Sequence, residues 1–237
     1  MQRLSKIISR AGVCSRRAAE VLITEGRVSV AGKCILRPEH HVDPEEAILV
    51  NGKPLPSSPR SVVYLLHKPR GFVCSNARTS PKQKLVFDLL PPGQGRLFTV
   101  GRLDKDTEGL ILVTNNGFFT QIIHPSRNLE REYILKAAEI IQPQHLLSLR
   151  KPLYIERKRI LAKIVKKIRR NTCSITVTDG KKHEVRLLAK RAGLEVLTLK
   201  RIRLGNLRLG NLPKGSYKRL SPKELASISP LLKDFSW

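Results

Sequence analysis

Acidic and aromatic residues are scarce in this chain of 237 residues. Nineteen Asp/Glu stand against 45 Lys/Arg, which gives a formal net charge of +26, and aromatic residues make up 5% of the sequence. So large a positive charge on a globular protein indicates a polyanionic partner. The excess is concentrated in residues 150–237, where 24 Lys/Arg accompany six Asp/Glu. This third of the chain is therefore the strongest candidate for contacts with phosphate groups.

Long apolar runs and metal-binding patterns are also missing. The longest apolar run, SVVYLLH, is far shorter than the roughly 20 residues that span a bilayer, and the start MQRLSKIISRAG lacks the apolar region of a signal peptide. The four cysteines have no Cys-x-x-Cys spacing and the six histidines form no ligand pattern. We therefore expect no disulfide framework and no metal site. We predict a cytoplasmic protein with no membrane partner.

The first 55 residues predict two basic helices followed by two hairpins. Apolar residues at i, i+3, i+4 and i+7 over residues 4–11 indicate one helix, and a second follows over residues 16–25. Hairpin turns are predicted at the Ala-Gly pair 31–32 and at the Asn-Gly pair 51–52, since Asn-Gly is the strongest short hairpin signal.

A linker rich in proline and serine, Pro54–Pro59, separates this region from the rest of the chain, because such a segment continues neither a helix nor an interior strand. We predict one domain over residues 1–58 and another over residues 59–237. In the second, runs with strand character dominate and do not alternate strictly with helices: 62–66, 97–100, 110–114, 133–137, 159–168, 174–178 and 196–204. Helical patterns cover 118–123, 144–149 and 183–193. The prediction is an α+β fold with a large mixed, mainly antiparallel β-sheet flanked by helices.

The segment VGRLDKDTEGLILVTNNG holds the most informative loop. One strand ends at Val100, another begins at Leu110, and Asp104, Asp106 and Glu108 share the turn between them. A loop held between two strands positions its side chains firmly. From the residues alone, the loop fits a salt-bridged structural turn, a metal site or a catalytic carboxylate.

The N-terminal segment RLSKIISRAGVCSRRAAEVLITEGRVSVAGK resembles the small RNA-binding domain first described in ribosomal protein S-four. In that family the two helices present basic side chains to RNA. One departure is Ala31, where the family commonly has Asn before the Gly of the turn.

The second region resembles the pseudouridine synthases of ribosomal RNA, in the RsuA-like branch that carries an N-terminal S-four domain. GRLD followed by xxTxGL and TNNG is similar to the family signature. LHKPRGFVCS, REYILKA, DGKKHEVRLL and LKRIRLGNLRLGNLPKGSYKRL resemble its other motifs in the same order along the chain. The resemblance covers nearly the whole sequence.

This resemblance implies an isomerase that breaks the C1′–N1 bond of a specific uridine, after flipping the base, and rejoins C1′ to C5. Asp104 is implied to be the essential carboxylate, which must stay ionised although burial disfavours a charged carboxyl group. Arg186 is implied to be its cationic partner, since Leu187 replaces the family's second arginine, and Tyr133 to stack on the target uracil. No cofactor is implied, because neither a redox change nor a group transfer occurs.

RNA contacts are implied for basic residues of the matching motifs and of the two N-terminal helices: Arg3, Lys6, Arg10, Arg16, Arg17, Lys68, Arg102, Arg131, Lys200, Arg201 and Arg203. The expected partner is ribosomal RNA or an assembling ribosomal subunit, bound by a monomer.

Two other classes of protein remain open at this point. A non-catalytic S-four-domain RNA binder or ribosome-assembly factor fits the charge and the N-terminal domain equally well, but does not require Asp104, Tyr133 and Arg186 in their family contexts. A metal nuclease using Asp104 and Asp106 is weakly supported, because no further ligand cluster accompanies these acids.

Overall fold

The structure is a computed structural model that describes residues 1–43, 45–57, 59–122, 129–155, 158–228 and 232. Two of the sequence predictions touch residues outside these ranges. The predicted domain boundary between residues 58 and 59 falls on Ser58, and the helix predicted over 118–123 extends to Ile123; both residues lie outside the described ranges.

The N-terminal region packs two helices on a small sheet. Its elements are β1 (Gln2–Arg3), α1 (Leu4–Arg10), α2 (Arg16–Thr24), β2 (Val28–Val30), β3 (Lys33–Cys34), β4 (His41–Val42), β5 (Ile48–Val50) and β6 (Lys53–Pro54). Strands pair in the order β3-β2-β5-β6, and β1 pairs with β4. Leu4 and Ile8 of α1 and Ile23 of α2 are fully buried in one cluster with the sheet residues. The two predicted helices are confirmed.

Both predicted hairpin turns form. Ala31 and Gly32 have φ angles of 46° and 79°, and Asn51 and Gly52 have φ angles of 52° and 73°. Positive φ at both central residues defines the tight hairpin turn whose twist matches its strands. Ala31 adopts this backbone although its Cβ disfavours it. The alanine therefore does not alter the turn geometry.

The second region is built on one large sheet. Its elements are β7 (Val63–Lys68), a 3-10 helix (Val86–Leu89), β8 (Phe98–Val100), β9 (Glu108–Thr114), α3 (Gly117–Ile122), β10 (Arg131–Ala137), α4 (Pro143–Arg150), β11 (Leu153–Ile155), β12 (Lys158–Ile160), β13 (Ile164–Arg169), β14 (Thr172–Val177), α5 (Glu184–Arg191), β15 (Val196–Leu204), β16 (Leu207–Arg208), β17 (Tyr217–Arg219) and α6 (Pro222–Ile228). The strand order is β13-β14-β10-β15-β9-β7-β17, with β8 beside β9 and β16 beside β15. Every pair in this sheet is antiparallel except β9 with β15. The predicted α+β class and mixed sheet are confirmed.

One predicted strand is wrong. The alternating run 159–168 forms two strands in different sheets, because β12 pairs with β11 whereas β13 pairs with β14 at the edge of the large sheet. The pattern continues across the break since both Ile160 and Val165 are buried in the same core. An alternating apolar pattern indicates which side chains are buried, but it does not indicate which strand pairs with the segment.

Apolar residues cover both faces of the central strands. Along β7, Tyr64 and Leu66 join the core beneath α4 and α5, while Val63 and Leu65 join a second core beneath α6. Strands buried on both faces have continuous apolar sequences, which explains the run at the start of β7. We call the face of the sheet that α4 and α5 cover face A, and the face that α6 covers face B.

A row of register partners crosses four strands of the sheet. Tyr133 of β10 lies opposite Arg201 of β15, Arg201 opposite Gly109 of β9, and Gly109 opposite Lys68 of β7. A Cβ at Gly109, where φ is 110°, would lie 2.2 Å from the Arg201 carbonyl oxygen. Only glycine permits this approach of β15 to β9. The row therefore brings four separated motifs to one level of the sheet.

Candidate active site

The loop 101–107 carries Asp104 between β8 and β9 on face A. Leu103 is buried in the face A core and fixes the start of the turn. The Thr107 amide donates to the Asp104 carbonyl at 3.1 Å, and the Gly71 amide donates to the Lys105 carbonyl at 2.8 Å. The Asp104 side chain remains about one-third exposed. The backbone is thus anchored while the carboxylate stays accessible.

Lys68 organises this loop from below. Its fully buried ammonium group donates to four carbonyl groups, those of Pro69 at 3.1 Å, Asp104 at 3.0 Å, Lys105 at 3.2 Å and Thr107 at 2.8 Å. Burial lowers the pKa of Lys68, and nearby acidic groups, Asp104 among them, partly offset this effect. RNA contact was predicted for Lys68, but its donors are occupied inside the protein. The environment instead indicates a structural role.

The imidazole of His183 lies against the Asp104 carboxylate. Its Nε2 lies 3.3 Å from Asp104 Oδ1, and the imidazole is about half exposed. His183 precedes α5 with a φ of 59° and a ψ of 17°, a left-handed conformation that is costly for a residue with a Cβ. The sequence analysis included His183 in the motif DGKKHEVRLL but gave it no role. Its spacing of three residues from Arg186, which puts both side chains on one side of a helical turn, could have indicated that it lies near the same loop.

Arg186 reaches the catalytic loop from α5, as expected, but at a different atom. Its Nη2 donates to the Asp106 carbonyl at 3.0 Å. Among the residues described, the basic side chain within 4.0 Å of the Asp104 carboxylate is His183 and not Arg186. The predicted pairing of Arg186 with Asp104 is therefore absent from this structure, although Arg186 binds the loop that carries Asp104.

Tyr133 and Arg201 lie beneath the loop in the row of register partners. Tyr133 is 8% exposed and belongs to the face A core. Arg201 is 2% exposed, and its Nε donates to the Leu110 carbonyl at 2.7 Å. RNA contact was predicted for Arg201, yet the side chain is enclosed by the sheet. Stacking of Tyr133 on a uracil remains a prediction.

Two buried charged residues hold the segment that leads into α5. Arg131 Nη1 donates to the carbonyls of Thr178 at 2.6 Å and Leu129 at 3.0 Å. Glu184 accepts from the amides of Gly180 at 3.2 Å and Lys181 at 3.1 Å. Burial lowers the pKa of Arg131 and raises the pKa of Glu184. Arg131, predicted to contact RNA, is thus occupied in positioning the turn before His183; sequence reasoning missed Glu184.

The remaining predicted RNA contacts of this region differ in accessibility. Arg102 is exposed beside the loop. Arg203 is bound by Glu132 at 2.8 Å and Glu130 at 3.0 Å, which leaves its guanidinium largely covered. Lys200 is half-buried and lies opposite Glu108 in the β9/β15 register, on the face opposite its neighbour Leu199.

The basic residues predicted on the N-terminal helices are accessible. Four are exposed and Lys6 is half-buried; the exposed ones are Arg3, Arg10, Arg16 and Arg17. The Ser15 hydroxyl accepts from the Ala18 amide at 3.1 Å, which caps α2 and orients its first, basic turn.

Two further observations concern the described residues as a whole. Within them, no group of three or more His, Cys, Asp or Glu is arranged to hold a metal ion. None of the helices they form combines the length and apolar character that a membrane crossing requires.

Comparisons with known proteins establish the family and the fold of this chain. A family model for RNA pseudouridylate synthases matches residues 62–190, and an S4 domain model matches residues 2–48. The ribosomal large subunit pseudouridine synthase B of Bacillus subtilis is 35% identical over 238 residues, covering 98% of this chain and 97% of the relative. A crystal structure of a pseudouridylate synthase superposes over 96% of this chain with a TM-score of 0.68 at 24% identity, which establishes the fold.

A longer relative, from Arabidopsis thaliana, carries the name of a chloroplastic ribosomal large subunit pseudouridine synthase. It is 41% identical over 223 residues, which is 86% of this chain, and the chain spans 54% of that relative's length. The fold and the loop around Asp104 define an RNA-modifying isomerase. The chain belongs to the RNA pseudouridylate synthase family.

Removal of the His183 imidazole is expected to slow turnover without weakening RNA binding. We expect His183→Gly to lower the single-turnover rate about fivefold, because a contact at 3.3 Å between two partly exposed side chains of this kind contributes up to about 1 kcal/mol. Glycine suits the positive φ at this position, so the variant removes the ring without strain. His183→Ala removes the same ring but retains the strain. Equal rates in the two variants would assign the loss to the ring, whereas a rate unchanged in His183→Gly would contradict a role in positioning Asp104.

Proposed function

We propose that this protein isomerises a specific uridine of large-subunit ribosomal RNA to pseudouridine. Family membership makes the protein a pseudouridine synthase, and the substrate class follows from the names of relatives that match it along most of its length. The observation that carries the catalytic assignment is the accessible carboxylate of Asp104 on an anchored loop, with His183 at 3.3 Å and Arg186 bound to the Asp106 carbonyl of the same loop.

The chemistry fits a carboxylate that is held rigidly. Breaking the C1′–N1 bond develops positive, oxocarbenium-like charge on the ribose, and an ionised Asp104 stabilises that charge. The freed ring then turns so that C5 faces C1′. As the C1′–C5 bond forms, C5 loses its proton to solvent and N1 gains one. The uridine must leave its stack before Asp104 can reach the ribose, which makes base flipping part of the proposal.

The positive charge supplies affinity for the RNA backbone. Exposed Arg3, Arg10, Arg16 and Arg17 lie on the S4 domain, at the opposite end of the chain from most of the basic excess. We propose that this domain holds a neighbouring RNA segment while the catalytic domain receives the target, since contacts to phosphates add affinity whatever the sequence. The protein acts on RNA as a monomer in this proposal.

Release of tritium from uridine labelled at C5 tests the function. We expect the full chain to release tritium from an unmodified transcript of large-subunit ribosomal RNA, and not from a small-subunit transcript of matched length. Release from the small-subunit transcript alone would overturn the substrate assignment. Binding of both transcripts without any release, including from assembling particles, would favour a non-catalytic RNA binder.

A further inference from the structure

The hairpin formed by β11 and β12 carries an exposed aromatic ring on its outer face. Tyr154 is 66% exposed. The other tyrosines are better covered: Tyr64 and Tyr217 pack edge to face with ring centroids 5.3 Å apart, and Tyr133 is buried. The ring of Tyr154 is therefore accessible to a partner, and a tyrosine suits such a contact because it combines an apolar ring with a polar hydroxyl group.

The pairing of the hairpin places a cation next to this ring. Tyr154 lies directly opposite Arg159 in the β11/β12 register, so the two side chains project from the same face about 5 Å apart at their Cβ atoms. Leu153 and Ile155 pack against the face A core from the opposite side of the hairpin, and Ile160 is buried in it. The inner face is thus fixed by the core, and the outer face presents the ring and the guanidinium together.

Hydrogen bonds tie this hairpin to the turn before α5 and to the end of α5. Lys181 donates to the Arg159 carbonyl, and His183, two residues further on, lies against Asp104. At the other end of α5, Arg191 Nη1 donates to the Pro152 carbonyl at 2.7 Å. The outer face of the hairpin is therefore held in a fixed position relative to the site that receives the uridine.

The surrounding charge favours nucleic acid as the partner of this face. Residues 157–178 include eight Lys/Arg and no Asp/Glu. Such a segment attracts a polyanion and repels basic surfaces. RNA whose uridine is flipped out has unpaired neighbouring bases, and such bases bind by stacking on aromatic rings and on arginine planes.

We propose that Tyr154 and Arg159 form a stacking platform for an unpaired base of the RNA strand that carries the target uridine. The platform rests on the proposed function, because the strand is identified by its target. Tyr154 provides the face on which the base stacks. Arg159 extends that face and contacts the adjacent phosphate.

Binding measurements in a catalytically inactive background test the platform. With Asp104→Asn present to prevent turnover, we expect Tyr154→Ala to weaken binding of the large-subunit ribosomal RNA transcript about tenfold, and Tyr154→Phe to bind as the parent does, because stacking requires the ring alone. Leu147→Ala, at an exposed apolar residue of α4, serves as the matched control and should leave the affinity unchanged. In the active background Tyr154→Ala should raise KM and leave kcat unchanged.

The dependence of affinity on salt separates stacking from phosphate contact. Tyr154→Ala should leave the slope of log Kd against log salt unchanged, whereas Arg159→Gln should reduce it by about 0.7, the value for one phosphate contact on a single strand. Equal affinities for Tyr154→Ala and its parent, or an equal loss in Tyr154→Phe, would overturn the platform. If the wild-type enzyme is active, either of these results overturns the platform and leaves the proposed function intact. If the wild type binds RNA but forms no pseudouridine, the proposed function is overturned and the platform is not.

Discussion

Asp104→Asn is expected to abolish pseudouridine formation while leaving the fold and RNA binding intact. Asparagine has the same shape and keeps the Asp104 carbonyl, to which Lys68 donates at 3.0 Å. What is lost is the charge that stabilises the ribose during bond cleavage. We expect the single-turnover rate to fall at least about 10³-fold, as is typical when a catalytic group is removed.

Tritium release from C5-labelled ribosomal RNA measures this effect, and filter binding measures the affinity. Asp106→Asn is the matched control, since Asp106 lies two residues away on the same turn, is exposed, and contributes its carbonyl and not its side chain to Arg186. We expect its rate to stay within about tenfold of the wild-type rate, because a change confined to an exposed side chain rarely exceeds about 1 kcal/mol. A fast Asp104→Asn enzyme would refute the assignment of the carboxylate.

Lys68→Met is expected to produce the largest loss of stability. Methionine fills similar space without a donor, so three carbonyls of the loop 101–107 and the Pro69 carbonyl lose their common partner. Leaving buried acceptors unsatisfied costs about 1–3 kcal/mol each before relaxation, whereas removal of the buried charge recovers part of that cost. We expect a net loss of about 2–4 kcal/mol, which lowers the melting temperature by about 5–15 °C.

The same substitution should reduce activity about 100-fold or more in the protein that remains folded, because a displacement of about 1 Å at a catalytic group has effects of that size. Circular dichroism during heating and tritium release below the transition measure the two losses. Lys105→Met, at an exposed lysine of the same loop, should change stability by less than about 0.5 kcal/mol. Unchanged melting of Lys68→Met would show that the loop does not depend on the buried ammonium group.

Local signals accounted for most of the secondary structure. The Asn-Gly turn at residues 51–52, the capping serine at residue 15 and the apolar run of β9 each act within a few residues, so their outcomes could be read from the sequence. The run 159–168 was the exception. Its alternation was correct, but the change of sheet at residues 161–163 depends on the pairing partners, which are far away in sequence.

The site was predicted less completely than the fold for a related reason. The motif resemblance placed Asp104 and Arg186 on one loop and its neighbouring helix, and the structure brings them together. Burial of Lys68 and Arg201 was not predicted, because lysine and arginine are rarely enclosed. Their enclosure results from cross-strand register over four strands, a tertiary property that no local window contains.

The parallel pairing of β9 with β15 also determines when the active site can form. Arg201 binds the carbonyl of Leu110 across 91 residues of chain, which translation adds in about 5–20 seconds at typical rates. During this interval β9 lacks β15, the strand that approaches it closely at Gly109. Long-range pairing of this kind is slow even in a complete chain. A nascent or truncated product that ends before residue 196 lacks β15 and therefore cannot assemble the row of register partners beneath the Asp104 loop. The active site is thus among the last parts of the fold that synthesis can complete.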